Sequence, residues 1–546
     1  MSLPVRKEGP RILDASGNPL RARAFLGDSR TPYDAADLSG AHMAAWTPYL
    51  GSVDADLNVY RDRIVSRVRD LVRNDGWASG VVTRVLDNAI GAAFRPVSRP
   101  DYRALAAYSG LSTFDHGWAK EFGRALDGHY RNWANDPGKW CDVSRTLTLT
   151  QLFYLAFRHK LVDGDALAQL RWMPQRVGEG RAHYATAVQL IDPDRLSNPQ
   201  QQFDQKRVRG GVEIDGDGAA VAYHIRRAHQ GDWFNAGDSV VWDRIPRETS
   251  WGRPVIVHDF ECTRAGQHRG GAGILTPVMQ RLRMLINYDG KELEAAIVNA
   301  IFGAYVESPY DPQMVENAIG GSEEVGHYQQ LRAGFHDGRK ILAGGVRMPI
   351  LFPGEKINTV TAARPTSNFR DFESAVLRNV AAGAGVSAQQ VSNDWSDVNY
   401  SSARAALLEA WKTLTRRRDE FAVNFGAQLR SGFVEECFEV DELPLPNGAP
   451  DFIECRAAYS RCTWLGPARG WVDPVDEKAG AILGIDAALS TLEAECADQG
   501  EDVEEILDQR AYEIQMFKER EIPLPTWANA QSARQAAAKP ESPQPQ

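Results

Sequence analysis

The sequence predicts an α+β chain in which helix predominates, and three observations predict it. Apolar residues recur at helical spacing over long stretches, above all from Thr276 to Ile301 and from Ser402 to Phe433. Short β-like runs parted by Gly and Asp turns cluster between residues 166 and 260. The length of 546 residues, 43% of them hydrophobic, provides three or four cored units at very roughly 150 residues each. A formal net charge of −10 argues against a protein that grips nucleic acid tightly and non-specifically, because that grip needs many cations. It leaves room for one that handles DNA without holding it.

Residues 1–60, rich in Gly, Pro, Ala and Asp and carrying Tyr33, Trp46 and Tyr49, read as an extended N-terminal arm that packs on something else, such as a neighbouring subunit. From Asp62, the residues Ile64, Val65, Val68, Leu71 and Val72 fall at helical spacing until Asn74, Asp75 and Gly76 interrupt them. A second apolar helix follows through Trp77, Val81, Val85 and Ile90, giving a helix–turn–helix in the architectural sense; its one plausible DNA contact is Arg84. More helices are expected between 111 and 170, including the apolar Leu152–Phe157. Strands are expected at Ala166–Trp172, at Val212–Ile214 leading through Asp215–Gly218 into Val221–Ile225 as a hairpin, and at Val255–Val257.

A long helix is predicted from Thr276 and Pro277, a favourable cap and first-turn pair, with Val278, Leu282, Leu285, Ile286, Leu293, Ile297 and Ile301 on one face. Residues 303–365 are mixed and turn-rich, with a strand at Val346–Phe352 entering a tight turn at Pro353–Glu355. Phe369–Ala382 forms the next helix, ended by Gly383 and Gly385. After a short loop, Val391–Tyr400, the longest helical pattern runs from Ser402 to Phe433, about 45 Å of helix. Its apolar row includes Ala403, Leu407, Trp411, Leu414, Phe421, Phe425, Leu429 and Phe433. A Pro-rich break at Leu443–Pro450, acidic helices to about Ile522 and a tail with the composition of a disordered segment complete the chain.

Chemistry is sparse. The segment His258–Gly273 concentrates His, Asp, Glu, Cys and Gly, but its spacing fits neither a common metal motif nor a phosphate loop, and a structured turn is the better reading. Asp192 and Asp194 flank Pro193 and read as a turn, not as an acid/base pair. Six thinly scattered cysteines, with Cys455 and Cys462 as the one close pair, suggest free thiols in a reducing compartment. No nucleophile elbow, H-E-x-x-H helix or C-x-x-C pair occurs, so no catalytic residue, cofactor or metal is assigned. No signal-peptide layout and no apolar run of ~18 residues is present, which predicts a soluble chain made in a cytoplasm, with no membrane contact. Arg416, Arg417 and Arg418 read either as a solvated helix face or, with Arg404, as candidates for inter-helix or inter-subunit ion pairs.

The string Asn368-Phe369, then FESAVLRNVAAGAGVS, then a loop ending Asp397-Val398-Asn399-Tyr400-Ser401-Ser402-Ala403-Arg404 before ALLEAW, resembles the core of the lambda-type portal proteins of tailed double-stranded DNA bacteriophages. Ile191-Asp192-Pro193 before Gly210–Glu213, the His258–Arg269 turn, Leu465-Gly466-Pro467 and Gly470–Pro474 are similar in order and spacing. The resemblance covers residues 20–525 and implies a structural, non-enzymatic ring of identical subunits, usually a dodecamer, at a capsid vertex of the virion, assembled in the host cytoplasm. Its implied partners are the terminase large subunit, the major capsid protein, a head-completion or tail connector protein, and double-stranded DNA passing through the channel during packaging and ejection. By position it implies a wing at 61–273, a first stem helix at 274–302, a clip at 303–365, a second stem helix at 366–390 and a tunnel loop at 391–400. The long helix of the wing at 401–435, a crown or C-terminal helical region at 436–527 and the tail at 528–546 follow.

The channel-facing candidates are Asn393, Asp394, Trp395, Ser396, Asp397, Val398, Asn399 and Tyr400: two acids, no base and two aromatics. Asp394 and Asp397 are expected to face DNA and repel it, while Trp395 and Tyr400 anchor the loop, touch DNA, or pack beneath the loop. The competing expectations are a ring-forming connector or minor capsid protein without such a loop, and a hydrolase whose site is assembled from distant residues.

Overall fold

The computed structural model describes residues 45–301, 305–307, 326–327, 330–331, 333–335, 340–343, 346–349, 356–358, 369–396, 398–440, 443–470 and 473–525. The arm up to residue 44, the turn at 353–355, Asp397, the side chain of Tyr400 and the tail lie outside them. The fold mixes helices with small antiparallel sheets, as the sequence predicts.

Three helices open the described chain: α1 (Val53–Leu57), α2 (Arg61–Asn74) and α3 (Gly76–Ala89). The break between α2 and α3 is narrower than Asn74–Gly76 suggests. Asp75 alone makes it: its N–H closes on Leu71 O at 2.8 Å and its carboxylate accepts from Ala78 N at 2.8 Å, ending one helix and capping the next. The apolar faces this turn brings together, Val68, Leu71 and Val72 against Val81, Val82 and Val85, are buried in one core. β1 (Arg95–Ser98), α4 (Tyr102–Ser109), α5 (His116–Ala134) and α6 (Leu149–Asp163) follow. A capping box of Thr148 and Gln151 starts α6, and Gly164 at φ 85° ends it. The backbone of Gly271 passes so close to Gly164 that a Cβ there would collide with it.

The β-rich stretch splits into two sheets. β2 (Asp165–Trp172) lies between β3 (Thr186–Leu190) and β8 (Ile256–Phe260), while β4 (Val208–Arg209), β5 (Val212–Ile214), β6 (Ala220–Arg226) and β7 (Trp242–Pro246) form a meander. The expected hairpin is β5–β6, its turn held by Asp215 accepting from Asp217 N and Ala219 N. Leu167, Ile191, Leu196, Val212, Ile214, Tyr223, Ile225 and Ile256 form a second, smaller core between the sheets.

α7 (Met279–Ile301) is the predicted long helix, with a different start. Thr276–Val278 form a 3₁₀ turn, and Leu275, not Thr276, holds the cap position. Its apolar row also divides: Val278, Leu282 and Leu285 are buried, but Leu293 and Ile297 are 62% and 51% exposed, so the far half of the face is bare in the single chain. Four short strands, β9 (Tyr305–Glu307), β10 (Lys340–Ala343), β11 (Val346–Pro349) and β12 (Lys356–Asn358), pair as β9–β12 and β10–β11. α8 (Phe369–Ala384) returns along α7, with Tyr288 stacked on Phe369 at 5.6 Å. Gly383 does not end α8 but lies inside it, where a Cβ would come within 2.6 Å of Val278 Cγ1; Gly385, at φ 73°, follows the helix.

A short helix, α9 (Ala388–Ser392), takes up the first residues of the expected loop, and the loop itself is 393–399. The next helix is longer than 402–433 at both ends. It runs as α10 (Tyr400–Phe421), a π turn at Ala422–Gly426 and α11 (Ala427–Val440), about 60 Å in all. Phe421 and Phe425 stack across the π turn at 4.9 Å, and Phe433 stacks on Trp133 at 4.4 Å. These rings place the long helix in the same core as α2, α3, α5 and α6. β13 (Cys462–Leu465) then pairs antiparallel with β1, tying the C-terminal part to the beginning of the fold. The last helices, α12 (Pro474–Asp486), α13 (Leu492–Asp498) and α14 (Val503–Glu519), contain no buried residue. Among the described residues no helix is long and apolar enough to cross a membrane.

Candidate functional site

The 393–399 loop is built between two capped helices. Ser387 and Gln390 form a capping box at the start of α9, Val391 is buried, and Asn393 at φ 54° ends the helix in the left-handed region that Asn tolerates. Arg84 of α3 donates to Asn393 Oδ1 at 2.8 Å, so the one cation of that helix considered for DNA contact is spent on the base of the loop. At the other end Asn399 caps α10, accepting from Ser402 N at 2.9 Å. The loop is therefore pinned at both feet, and residues 393–396 are exposed.

Asp394 is exposed, and its carboxylate folds back on the loop. It accepts from Ser396 Oγ at 2.6 Å and Ser396 N at 3.1 Å, while Arg370 of α8 approaches Oδ2 at 3.6 Å. The Ser396 bonds, with Arg370 behind them, hold its pKa below the usual carboxylate range. The loop contains no base, yet it does not present a bare acid: Arg370, 24 positions earlier, shares Asp394. No local sequence signal marks this pair: Arg370 stands in the first turn of α8 and meets the loop only through the packing of α8 beside α10, whose Arg417 reaches the other end of α8 at Ala384. Trp395 is 40% exposed, and its carbonyl accepts from Val398 N at 3.3 Å.

The four arginines separate. Arg417 is largely enclosed and donates to Ala384 O at 2.7 Å, fixing the end of α8 against α10. Arg418 is 15% exposed, lies over Trp411 at 5.8 Å and is packed against Gly466. Both make contacts inside their own chain, Arg417 with Ala384 between helices and Arg418 with Trp411, Gly466 and the neighbouring Asp419. Arg416 is half-exposed and bridges Glu420 at 2.5 Å and Glu261 at 3.7 Å, an inter-element pair. Arg404 lies 4.0 Å from Glu477 of α12, which Arg469 also engages at 3.2 Å.

The polar turns of the sequence are joined in a buried charge knot beside α2. Asp165 accepts from His258 Nε2 at 2.9 Å and Gly270 N at 2.7 Å, and contacts Arg269 at 3.3 Å and Arg61 at 3.5 Å. Arg69 gathers Asp163, Asp192 and Asp194 at 2.7, 3.1 and 2.7 Å, and Arg61 adds a second contact to Asp194 at 3.1 Å. Burial pushes the Asp165 carboxyl up, but the His258 bond and the Arg269, His258 and Arg61 charges outweigh it and hold it well below the ordinary range. Asp192, Asp194 and His229 stand close enough to share a cation, but the two guanidinium groups already occupy both carboxylates. His268 is likewise bound, to Asp54 at 2.8 Å. The His258–Gly273 segment thus works as a structural clasp.

A pinned, exposed loop leading into a long helix that is locked in the main core is an arrangement for holding a loop outward from a rigid frame. Residues 39–418 match the sequence family described as phage portal protein, lambda family. Portal protein B of Escherichia phage lambda is 31% identical over 498 residues, covering 90% of each chain. The portal protein of Escherichia phage N15 is 31% identical over 498 residues, covering 90% of this chain and 91% of its own. The probable portal protein of Halomonas phage phiHAP-1 is 24% identical over 88% of this chain and 86% of its own. Among solved structures, a neck chain of an empty gene transfer agent particle aligns at TM-score 0.38 with 14% identity, covering 74% of this chain and 95% of its own. A virion chain of the native particle aligns at TM-score 0.36 with 13% identity, covering 77% and 99%. The chain belongs to the lambda family of phage portal proteins.

Proposed function

We propose that this portal protein is a structural, non-enzymatic subunit of a closed homo-oligomeric ring, a dodecamer at a capsid vertex, whose channel conducts double-stranded DNA inward at packaging and outward at ejection. The observation that carries the channel reading is the 393–399 loop, exposed at 393–396 and pinned at both feet between α9 and α10. Repeated about an axis, such loops form a collar, and α7 with α8 form the struts of a tube wall. The half-exposed Leu293 and Ile297 suit that wall, since a neighbouring copy would cover them.

In this reading residues 61–273 form the wing with 401–435 as its long helix, 274–302 and 366–390 the stem, 303–365 the clip, and 436–527 the crown. The clip receives the terminase large subunit and later a head-completion or tail connector protein, while the wing faces the major capsid protein. Asp394 and Asp397 of the tunnel loop repel the DNA backbone, and Arg370 limits how much charge each Asp394 presents.

Replacing both acids, Asp394→Lys and Asp397→Lys, is expected to leave ring assembly intact and to slow DNA passage about tenfold or more, because a cationic collar binds the backbone it should release. In vitro packaging measured as nuclease-protected DNA checks this. Unchanged packaging and ejection rates would remove the electrostatic part of the proposal.

A further inference from the structure

The C-terminal helices are held against the fold by charge, and the surface they cover is cationic. On one face of α5, Lys120, Arg124 and Arg131 follow at steps of four and seven, a row about 17 Å long. Asp127, on the same face, is turned inward and accepts from Ser98 N and Oγ. Arg95 and Arg99 at β1 extend the row. Over it lie the acids of α13, α14 and the turn between them. Arg95 meets Glu505 at 2.7 Å, Arg99 meets Glu493 at 2.9 Å and Asp502 at 2.7 Å, and Arg124 meets Glu504 at 3.2 Å and Asp508 at 2.7 Å. Arg131 reaches Glu505 at 2.9 Å and Lys120 reaches Glu504 at 3.8 Å. A cleft of about 570 Å³ remains between the two layers, with His116 and Arg461 also on its wall.

We propose that this cationic face is a binding site for the phosphodiester backbone of duplex DNA, masked in the free chain by its own acidic C-terminal helices. An arginine fork fits carboxylate and phosphate alike, so the acids of α14 stand where phosphates would. The cations form a row, not a single pocket, and a duplex presents one charge per ~1.7 Å of axis, so any stretch laid along α5 meets several of them. The mask is releasable. The covering helices bury no side chain of their own, the buried Asp502 of the turn between them being held by Arg99, and the other ion pairs are partly exposed, where salt and competing polyanions weaken them. This site is distinct from the channel loop and does not depend on the ring.

The test uses the full chain and a fluorescent 40-base-pair duplex. Glu504→Gln, Glu505→Gln and Asp508→Asn together should tighten binding at least about tenfold at low salt, with a steep loss on adding salt. Adding Arg124→Gln and Arg131→Gln should abolish the gain. Hydrogen exchange on the unaltered chain provides a readout free of any folding defect: DNA should deprotect the amides of α14. The proposal is overturned if the acid variant binds no tighter, if the gain survives loss of the arginines, or if α14 exchange is unaffected by DNA.

Discussion

Asp165→Asn is expected to destabilise the chain by about 3–5 kcal/mol, the cost of breaking a buried ion pair from one side. The substitution keeps the shape of the side chain and removes its charge. Arg61 and Arg269, 2% and 4% exposed, then remain charged in the interior, Arg61 with Asp194 and the exposed Asp62, and Arg269 with carbonyl oxygens of Gly210 and Pro193. The loss reaches several elements, because this one carboxylate joins α2, β2, β8 and the segment before α7. Denaturant titration should show the midpoint falling with little change in slope. A surface control, Arg124→Gln, should cost less than about 1 kcal/mol.

The pH dependence follows with its sign. Asp163, Asp165 and Asp194 have folded pKa values below their unfolded ones. Their stabilisation is complete above the unfolded value of about 3.9 and is lost as pH falls below it toward the folded values. Burial raises Asp127 and Asp259 despite Ser98 and Lys160, so their ionisation costs stability, and acid relieves that cost as pH falls through their folded values. The acid-induced loss is therefore concentrated below about pH 4, and Asp165→Asn should flatten it.

Phe433→Ala is expected to cost about 3–5 kcal/mol, the range for emptying a fully buried aromatic site. Phe433 is wholly enclosed, stacked on Trp133 and edge-on to Tyr130 at 5.7 Å and Tyr184 at 4.9 Å. Three large rings cannot collapse into the vacated volume without leaving their own contacts. The effect should reach the loop, since the helix Phe433 anchors is continuous, through the π turn, with α10, which starts where the loop ends. Thermal unfolding measures the loss of stability, and faster exchange of the α10 amides would register the loosened helix.

The helices and strands were legible because their signals are local. The apolar rows of α2, α3, α8 and α10, and the turn at Asp215–Gly218, lie within a few residues of what they determine. Where the reading slipped, two signals competed. Gly383 looks like a helix end, but it is a close approach to Val278, which lies 105 positions away. Phe421 and Phe425 keep a spacing of four that hides a π turn. The shorter loop was readable: Ser387-Ala388-Gln389-Gln390 has the spacing of a capping box and marks α9. The charge knot was not, because Arg61, Asp165 and Arg269 are about a hundred positions apart and meet only through the topology of β2 and β8. For the same reason Arg370 and Arg84 were absent from the predicted loop site.

Copies of this chain are expected to close into a ring whose inner rim is the 393–399 loop. Electron cryomicroscopy of the purified protein tests it most directly. The expected result is a closed ring with an opening wide enough for duplex DNA and with Asp394 at its narrowest part. A compact dimer, or a ring with this loop on its outer surface, would contradict it.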